Sequence, residues 1–291
     1  MTAGNTKGGI LLMIVTTFVF ACQDGISRHL AGEYNTLMVV MIRYWFFAAF
    51  VLTVAARRPG GVLATARTSQ PFLQIGRGLL LALEICVAIW GFTLIGLVES
   101  HAIFASYPLI ITALAGPILG EKVGWRRWAA VLTGFLGMLI ILAPGDGAFD
   151  PLALIPVVSA ALFALYSLAT RYASRRDSTA TSFFWTGVVG AIVMTFVGLP
   201  AWEPMTLEDS VWMLALCITG VLGHWTLIKC YELAEASVVQ PFAFFHQVFA
   251  ALVGILIFAE ALRLNVLFGA AIILSAGLFA LWRAARAAPE S

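Results

Sequence analysis

Apolar stretches of about 18–24 residues recur along almost the whole chain, and nothing else in the sequence limits the fold as strongly. They can be marked at roughly 9–31, 36–56, 72–94, 101–119, 126–143, 151–173, 181–200, 210–229, 237–259 and 264–284. Each is about the length a helix needs to cross a hydrocarbon core of about 30 Å. In lipid, only helices and closed barrels satisfy their own backbone hydrogen bonds. Barrel strands would show short alternating segments, and the sequence has none. The spacing therefore predicts an all-α membrane protein with ten transmembrane helices, with the lipid bilayer as its solvent.

Composition excludes the soluble alternative. The 291 residues are 61% hydrophobic and 11% charged, whereas soluble domains carry about 25% charged residues. Connections such as "RRPGG", "APGDGAFDP" and "LPAWEP" are short and rich in turn formers, leaving no room for a soluble domain. A net charge of +2 provides no field for nucleic acid. Cys22, Cys86, Cys217 and Cys230 sit singly in apolar segments, as small buried hydrophobes do, with no metal or disulfide spacing. Gln23 and Asp24 follow the first apolar run without a small-residue cleavage site, so that run reads as a membrane helix and not a signal peptide.

Ten spans place both termini on one side, and the charges then sort themselves. Lys7, Arg57, Arg58, Arg67, Lys122, Arg126, Arg127, Arg171, Arg175, Arg176, Arg283 and Arg286 fall on the side of the termini. Asp146, Asp150, Glu203, Glu208 and Asp209 fall on the other, with Arg28 and Arg263 as its few cations. The positive-inside rule makes both termini cytoplasmic.

The chain also repeats itself. "LVESHAIFASYPLIITALAGPILGE" (97–121) parallels "LAEASVVQPFAFFHQVFAALVGILIFAE" (233–260), each opening on Leu-x-Glu and closing on Glu. A glycine-bearing helix follows each, "GFLGMLIIL" (134–142) and "GAAIILSAGLFAL" (269–281), and "FVFACQDGISR" (18–28) weakly parallels "ALFALYSLATR" (161–171). Five helices per unit is an odd number, so the second unit must run opposite to the first across the membrane. That arrangement characterises secondary transporters with midplane sites. The units divide at 1–145 and 146–291.

The Leu-x-Glu-Ala/Ser start, the Leu119-Gly120-Glu121 end and the following Gly-x-x-Gly helix resemble the EamA repeat of the drug/metabolite transporter superfamily, one copy per half. The second copy departs from it, with Ala259 in place of glycine before Glu260. Within the superfamily the sequence looks most like the YddG-type exporters of aromatic and other amino acids. The resemblance implies a bacterial inner-membrane carrier that exports small amphipathic metabolites by alternating access.

Polar groups inside membrane helices face protein or water and are candidates for function. Asp24 and Arg28, four apart in the first span, are expected to neutralise each other. Arg43 is expected to snorkel to the outer surface, Lys229 and Glu232 to form a surface pair, and Glu121 and Glu260 to mark helix ends. Glu84, with no cation closer in sequence than Arg77, is paired from another helix, a neutral interhelical carboxyl, or exposed to a water-filled cavity. A titrating Glu84 would allow proton coupling.

The expected substrate site gathers Gln23, Glu84, Tyr107, Tyr166, His224, Trp225, Phe244, His246 and Gln247. Tyr166 occupies the repeat position of Gln23, and Tyr107 roughly that of His246. Neutral imidazole and carboxamide would bind an amino-acid zwitterion without a buried charge, and the rings would form its apolar wall. No cofactor, metal ligand set or catalytic residue is expected, because H-E-x-x-H and G-x-S-x-G are absent and the four histidines are scattered. The main alternative is a carrier of drugs, nucleotide sugars or organophosphates. Phosphate would call for paired intramembrane Lys or Arg, which the midplane does not show.

Topology is directly testable by labelling single cysteines in a cysteine-free background. A cysteine at 175 or 176 should react only after permeabilisation and one at 146 from outside intact cells; the reverse order would invert the orientation.

Overall fold

Apolar length becomes helix throughout the described residues. The computed structural model describes residues 6–120, 125–142, 151–234, 239, 242, 243 and 245–287. Glu121, Asp146 and Phe244 therefore lie outside the described residues. The helices are α1 (Thr6–Glu33), α2 (Thr36–Ala56), α3 (Gly61–Ala66), α4 (Pro71–Ile95), α5 (Leu97–Phe104), α6 (Tyr107–Leu119), α7 (Trp125–Leu142), α8 (Leu154–Ala173), α9 (Thr179–Gly198), α10 (Leu207–Leu233), α11 (Phe245–Phe258) and α12 (Leu264–Ala287).

Local chemistry sets several boundaries. The side chains of Asn35, Ser178 and Thr206 accept from amides in the first turns of α2, α9 and α10, and Pro71 begins α4. Each satisfies or dispenses with an orphan N–H. The stretch expected as one span at 101–119 is broken instead into α5 and α6, whose junction lies at Ala105–Ser106. Pro108 has no N–H to continue the ladder across that junction. The short α3, in the connection between α2 and α4, was not expected from the sequence.

Among the described residues, seven helical stretches are long and apolar enough to cross a membrane: Lys7–Glu33, Thr36–Ala56, Pro71–Ile95, Leu97–Leu119, Pro151–Ala173, Thr179–Ala201 and Leu207–Leu233. The distribution of side chains is that of a lipid-solvated bundle. Phe196, Leu207 and Leu256 are more than three-quarters exposed, whereas Asp24, Arg43, Arg77, Glu84, His101, His224 and His246 are buried. In water this arrangement would be unfavourable on both counts.

The main helix pairs are α1 with α10, α2 with α9, α4 with α8 and α9, α1 with α11, α6 with α8, and α7 with α12. Without a hydrophobic driving force between helices in lipid, close approach over small residues holds such pairs. Gly190 on α9 lies against the Tyr44 ring of α2, and Gly187 against Phe47 and Val51. On α7, a Cβ added to Gly137 would sit 2.8 Å from the Gly269 carbonyl oxygen of α12, which accounts for glycine at this position of the motif.

The α2–α9 contact gives a test. Gly190→Val would drive a branched side chain into Tyr44 and should destabilise the protein by about 1–3 kcal/mol. Gly76→Ala on α4, where an added Cβ meets nothing within 4 Å, should be neutral or stabilising. Thermal unfolding in detergent separates the two.

Candidate functional site

Buried charge converges near the middle of the bundle around a cavity of about 50 Å³. Its lining includes Gln23, Asp24 and Ser27 of α1, Arg43 of α2, Glu84 of α4, His101 of α5, His224 of α10 and His246 of α11. Phe20, Phe92, Phe104 and Phe163 complete the wall. Helical periodicity places Gln23, Asp24 and Ser27 on one face of α1.

Asp24 sits between two imidazoles. Its Oδ2 lies 2.8 Å from His246 Nε2 and 3.1 Å from His101 Nε2, and the two rings are 4.6 Å apart, edge to face. Only the His246 contact has hydrogen-bond geometry; neither ring nitrogen of His101 has such a partner among the described residues. The pairing of Asp24 with Arg28 expected from their spacing does not form. Arg28 pairs instead with Glu260 and lies over the Phe258 ring at 4.2 Å.

Glu260 does more than mark a helix end. Its carboxylate also accepts from the amides of Leu97 (2.9 Å) and Val98 (2.7 Å), the first turn of α5. A carboxylate there satisfies orphan donors and meets the positive end of the helix dipole. Gly96 makes this possible: its φ is +89°, and a Cβ would come within 2.9 Å of Glu260 Oε1. The position demands glycine both for conformation and for room.

Arg43 is 3% exposed and does not snorkel. It lies eight residues into α2 and its Nη2 is 3.2 Å from His224 Nε2. Among the described residues no carboxylate lies within ion-pair distance of it. Glu84 accepts from Ser159 Oγ on α8 at 3.0 Å and has no ion-pair partner among the described residues either. Arg77 differs: its guanidinium is spent on Gln74, Thr170, Ser182 and Thr186 and lies over Tyr166 at 5.4 Å. Both arginines are buried, but of the two only Arg43 reaches the cavity.

Of the expected site residues, Gln23, Glu84, His224 and His246 line this cavity. Tyr107 and Tyr166 are buried behind it against Phe163, at 4.9 and 6.1 Å between ring centroids. Gln247 is buried but off the cavity, and its amide atoms have no hydrogen-bond partner among the described residues. Trp225 is 43% exposed and turned away from His224, because successive helical residues point about 100° apart. It lines a second, larger hollow of about 610 Å³ between α2, α9 and α10, with Phe46, Phe50, Phe183 and Phe184. Lys229 and Glu232, at its edge, form the surface pair expected of them, at 2.9 Å. Phe47 stands between the two spaces, stacked on His224 at 6.2 Å and against Phe183 at 4.6 Å.

The sequence profile of the EamA-like transporter family matches residues 7–143 and again 151–282. The chain belongs to the EamA-like transporter family. Among named relatives of this EamA protein, a riboflavin transporter of Rhizobium johnstonii is 30% identical, the alignment covering 93% of this chain and 90% of the relative. A riboflavin transporter of Vibrio cholerae is 28% identical over 97% of this chain and 96% of its own. An S-adenosylmethionine uptake transporter of Rickettsia bellii is 28% identical over 94% and 92%. These names differ from the amino-acid exporters that the sequence was expected to resemble most. A solved crystal structure superposes with a TM-score of 0.66 at 18% identity, covering 98% of both chains, and shows the shared fold.

Removing the Glu260 carboxylate with Glu260→Ala would leave Arg28 and two α5 amides unpaired, a loss of about 1–3 kcal/mol for each buried group left unsatisfied. We expect a cysteine at Ser27 to become more reactive to polar maleimide in that background. Unchanged reactivity would show that the junction does not close the cavity.

Proposed function

We propose that this EamA protein is a secondary transporter for small amphipathic metabolites that carry an amino-acid zwitterion. It would work by alternating access in the cytoplasmic membrane, through ten spans arranged as inverted halves, 1–145 and 146–291, with cytoplasmic termini. The helix pairings support the repeat. Matching α1, α2, α4, α5–α6 and α7 to α8, α9, α10, α11 and α12 turns α1·α10 into α8·α4, and α1·α11 into α8·α6. The pairs α2·α9 and α7·α12 map onto themselves.

The observation that carries the substrate class is the unmatched Arg43. A buried guanidinium whose neighbour is a neutral imidazole is expensive to hold. A substrate carboxylate would match it with two parallel hydrogen bonds. Glu84 in the same cavity offers an acceptor for an ammonium. S-adenosylmethionine, named for one relative, carries both groups. The expected zwitterion site thus moves from the His246–Gln247 pair to Arg43 and Glu84. Among the described residues, paired basic groups, as phosphate would require, do not line the cavity.

At about 50 Å³ the polar cavity holds a few waters at roughly 10–15 Å³ each, far below the roughly 300–1,000 Å³ of organic-ligand sites. The 610 Å³ hollow has that size and opens beside Arg58, at the end of the bundle opposite Arg28. We take it as the approach from the cytoplasmic side, with Phe47 and Phe183 as the partition. Alternating access is reversible, so uptake or export follows from gradients rather than from the site. A second reading, riboflavin, is favoured by the five-ring aromatic lining of this hollow.

Counterflow in proteoliposomes with amino acids, S-adenosylmethionine and riboflavin tests both readings. Arg43→Gln and Glu84→Gln should each weaken apparent affinity for a zwitterion by about 2 kcal/mol, roughly thirtyfold. Exchange of riboflavin alone, insensitive to both variants, would replace the zwitterion reading with the flavin one.

A further inference from the structure

We propose that Asp24, His101 and His246 form a binding site for a divalent transition-metal ion. Their ligand atoms all lie within 4.8 Å of one another, and all three residues are buried. With metal–ligand distances of about 2.0–2.2 Å, neighbouring ligand atoms lie roughly 3.0 Å apart at right angles and roughly 3.4 Å apart in a tetrahedron. The two measured edges, 2.8 Å from Asp24 Oδ2 to His246 Nε2 and 3.1 Å to His101 Nε2, fall at the right-angled value.

His101 supplies an independent indication. Its side chain is 2% exposed, and its Nε2 points into the cluster, yet neither ring nitrogen has a hydrogen-bond partner among the described residues. A nitrogen placed 3.1 Å from a carboxylate oxygen but off the hydrogen-bond line is arranged as one ligand beside another. Gln23 Oε1, also without a partner, borders the same cavity and offers a further oxygen.

The donor set selects the class of ion. Two imidazoles and one carboxylate suit Mn²⁺, Fe²⁺, Co²⁺, Ni²⁺ or Zn²⁺. Mg²⁺ and Ca²⁺ prefer oxygen alone, and among the described residues no thiol lines the cavity to favour Cu⁺. The remaining coordination positions face a space that fits an ion with a few waters. Arg43 in the same cavity opposes a cation, and the carboxylates of Asp24 and Glu84 offset two of the three positive charges. One positive charge remains to face the carboxylate of a bound solute. The ligands come from α1, α5 and α11, so the ion would tie helices of both sequence halves.

Cobalt(II) is the probe. Full-length protein carrying a tag without histidine is purified in detergent, stripped with chelator and titrated with Co²⁺. We expect one cobalt per chain with visible d–d absorption, retained in His29→Ala. Asp24→Asn, His101→Ala and His246→Ala should each weaken binding by more than the roughly 10–100-fold that an outer-shell change causes. If these variants do not fold, the parent protein answers alone, since Co²⁺ should raise its unfolding temperature in a concentration-dependent way. No cobalt above background, no thermal shift, or equal binding in the folded Asp24→Asn protein would overturn the site. Because binding is read without transport, failure of the zwitterion reading leaves this result standing.

Discussion

A charge placed among apolar helices has to find its counterpart on another helix, and that requirement organises the centre of this protein. Asp24 on α1 meets His101 on α5 and His246 on α11. Arg43 on α2 meets His224 on α10, and Glu84 on α4 meets Ser159 on α8. Contacts between aliphatic side chains tolerate a slide along the helix axis. These polar contacts do not, since an angstrom of slip leaves a buried group unsatisfied. The lipid-like surface keeps the helices in the membrane, and the polar ties set their register.

The all-helical membrane class was legible because its signal is physical length: a run of twenty apolar residues has few uses besides crossing a bilayer, and seven of the described helical stretches reach that length. The glycines of the repeat were legible as packing residues for a similar reason, and Gly137 against α12 shows why. The site was only half legible. Glu84, His224 and His246 stand out as polar letters in apolar text. Asp24 and Arg43 stood out too, but their nearest sequence neighbours suggested the wrong partners. Asp24 had Arg28 one turn away, and Arg43 stood close enough to a helix end to be given to the interface. Partner choice in three dimensions was decided by α5, α10 and α11, from 77 to 222 positions away. His101 was overlooked because it lies at the margin of its apolar stretch, whereas in the structure it stands inside α5.

The two hollows described would divide the work by chemistry. The large one is walled by rings and has charge only at its mouth, so it accommodates many flat or amphipathic shapes with little orientation. The small one is dense in donors and acceptors and admits almost nothing at this size. On the proposed route, passage from one to the other would require Phe47 and Phe183 to part, and the contact of Phe47 with His224 would link that movement to the polar cluster. A solute would be accepted by shape first and by charge second.

The junction at Glu260 has a further consequence. One carboxylate serves three donors at once: a guanidinium from α1 and two amides at the head of α5. A displacement of Glu260 would disturb all three contacts at once. The junction is in that sense built as a catch, with one side chain as its tongue. Gly96, by admitting the carboxylate to within touching distance of the backbone, is what makes the catch a single piece.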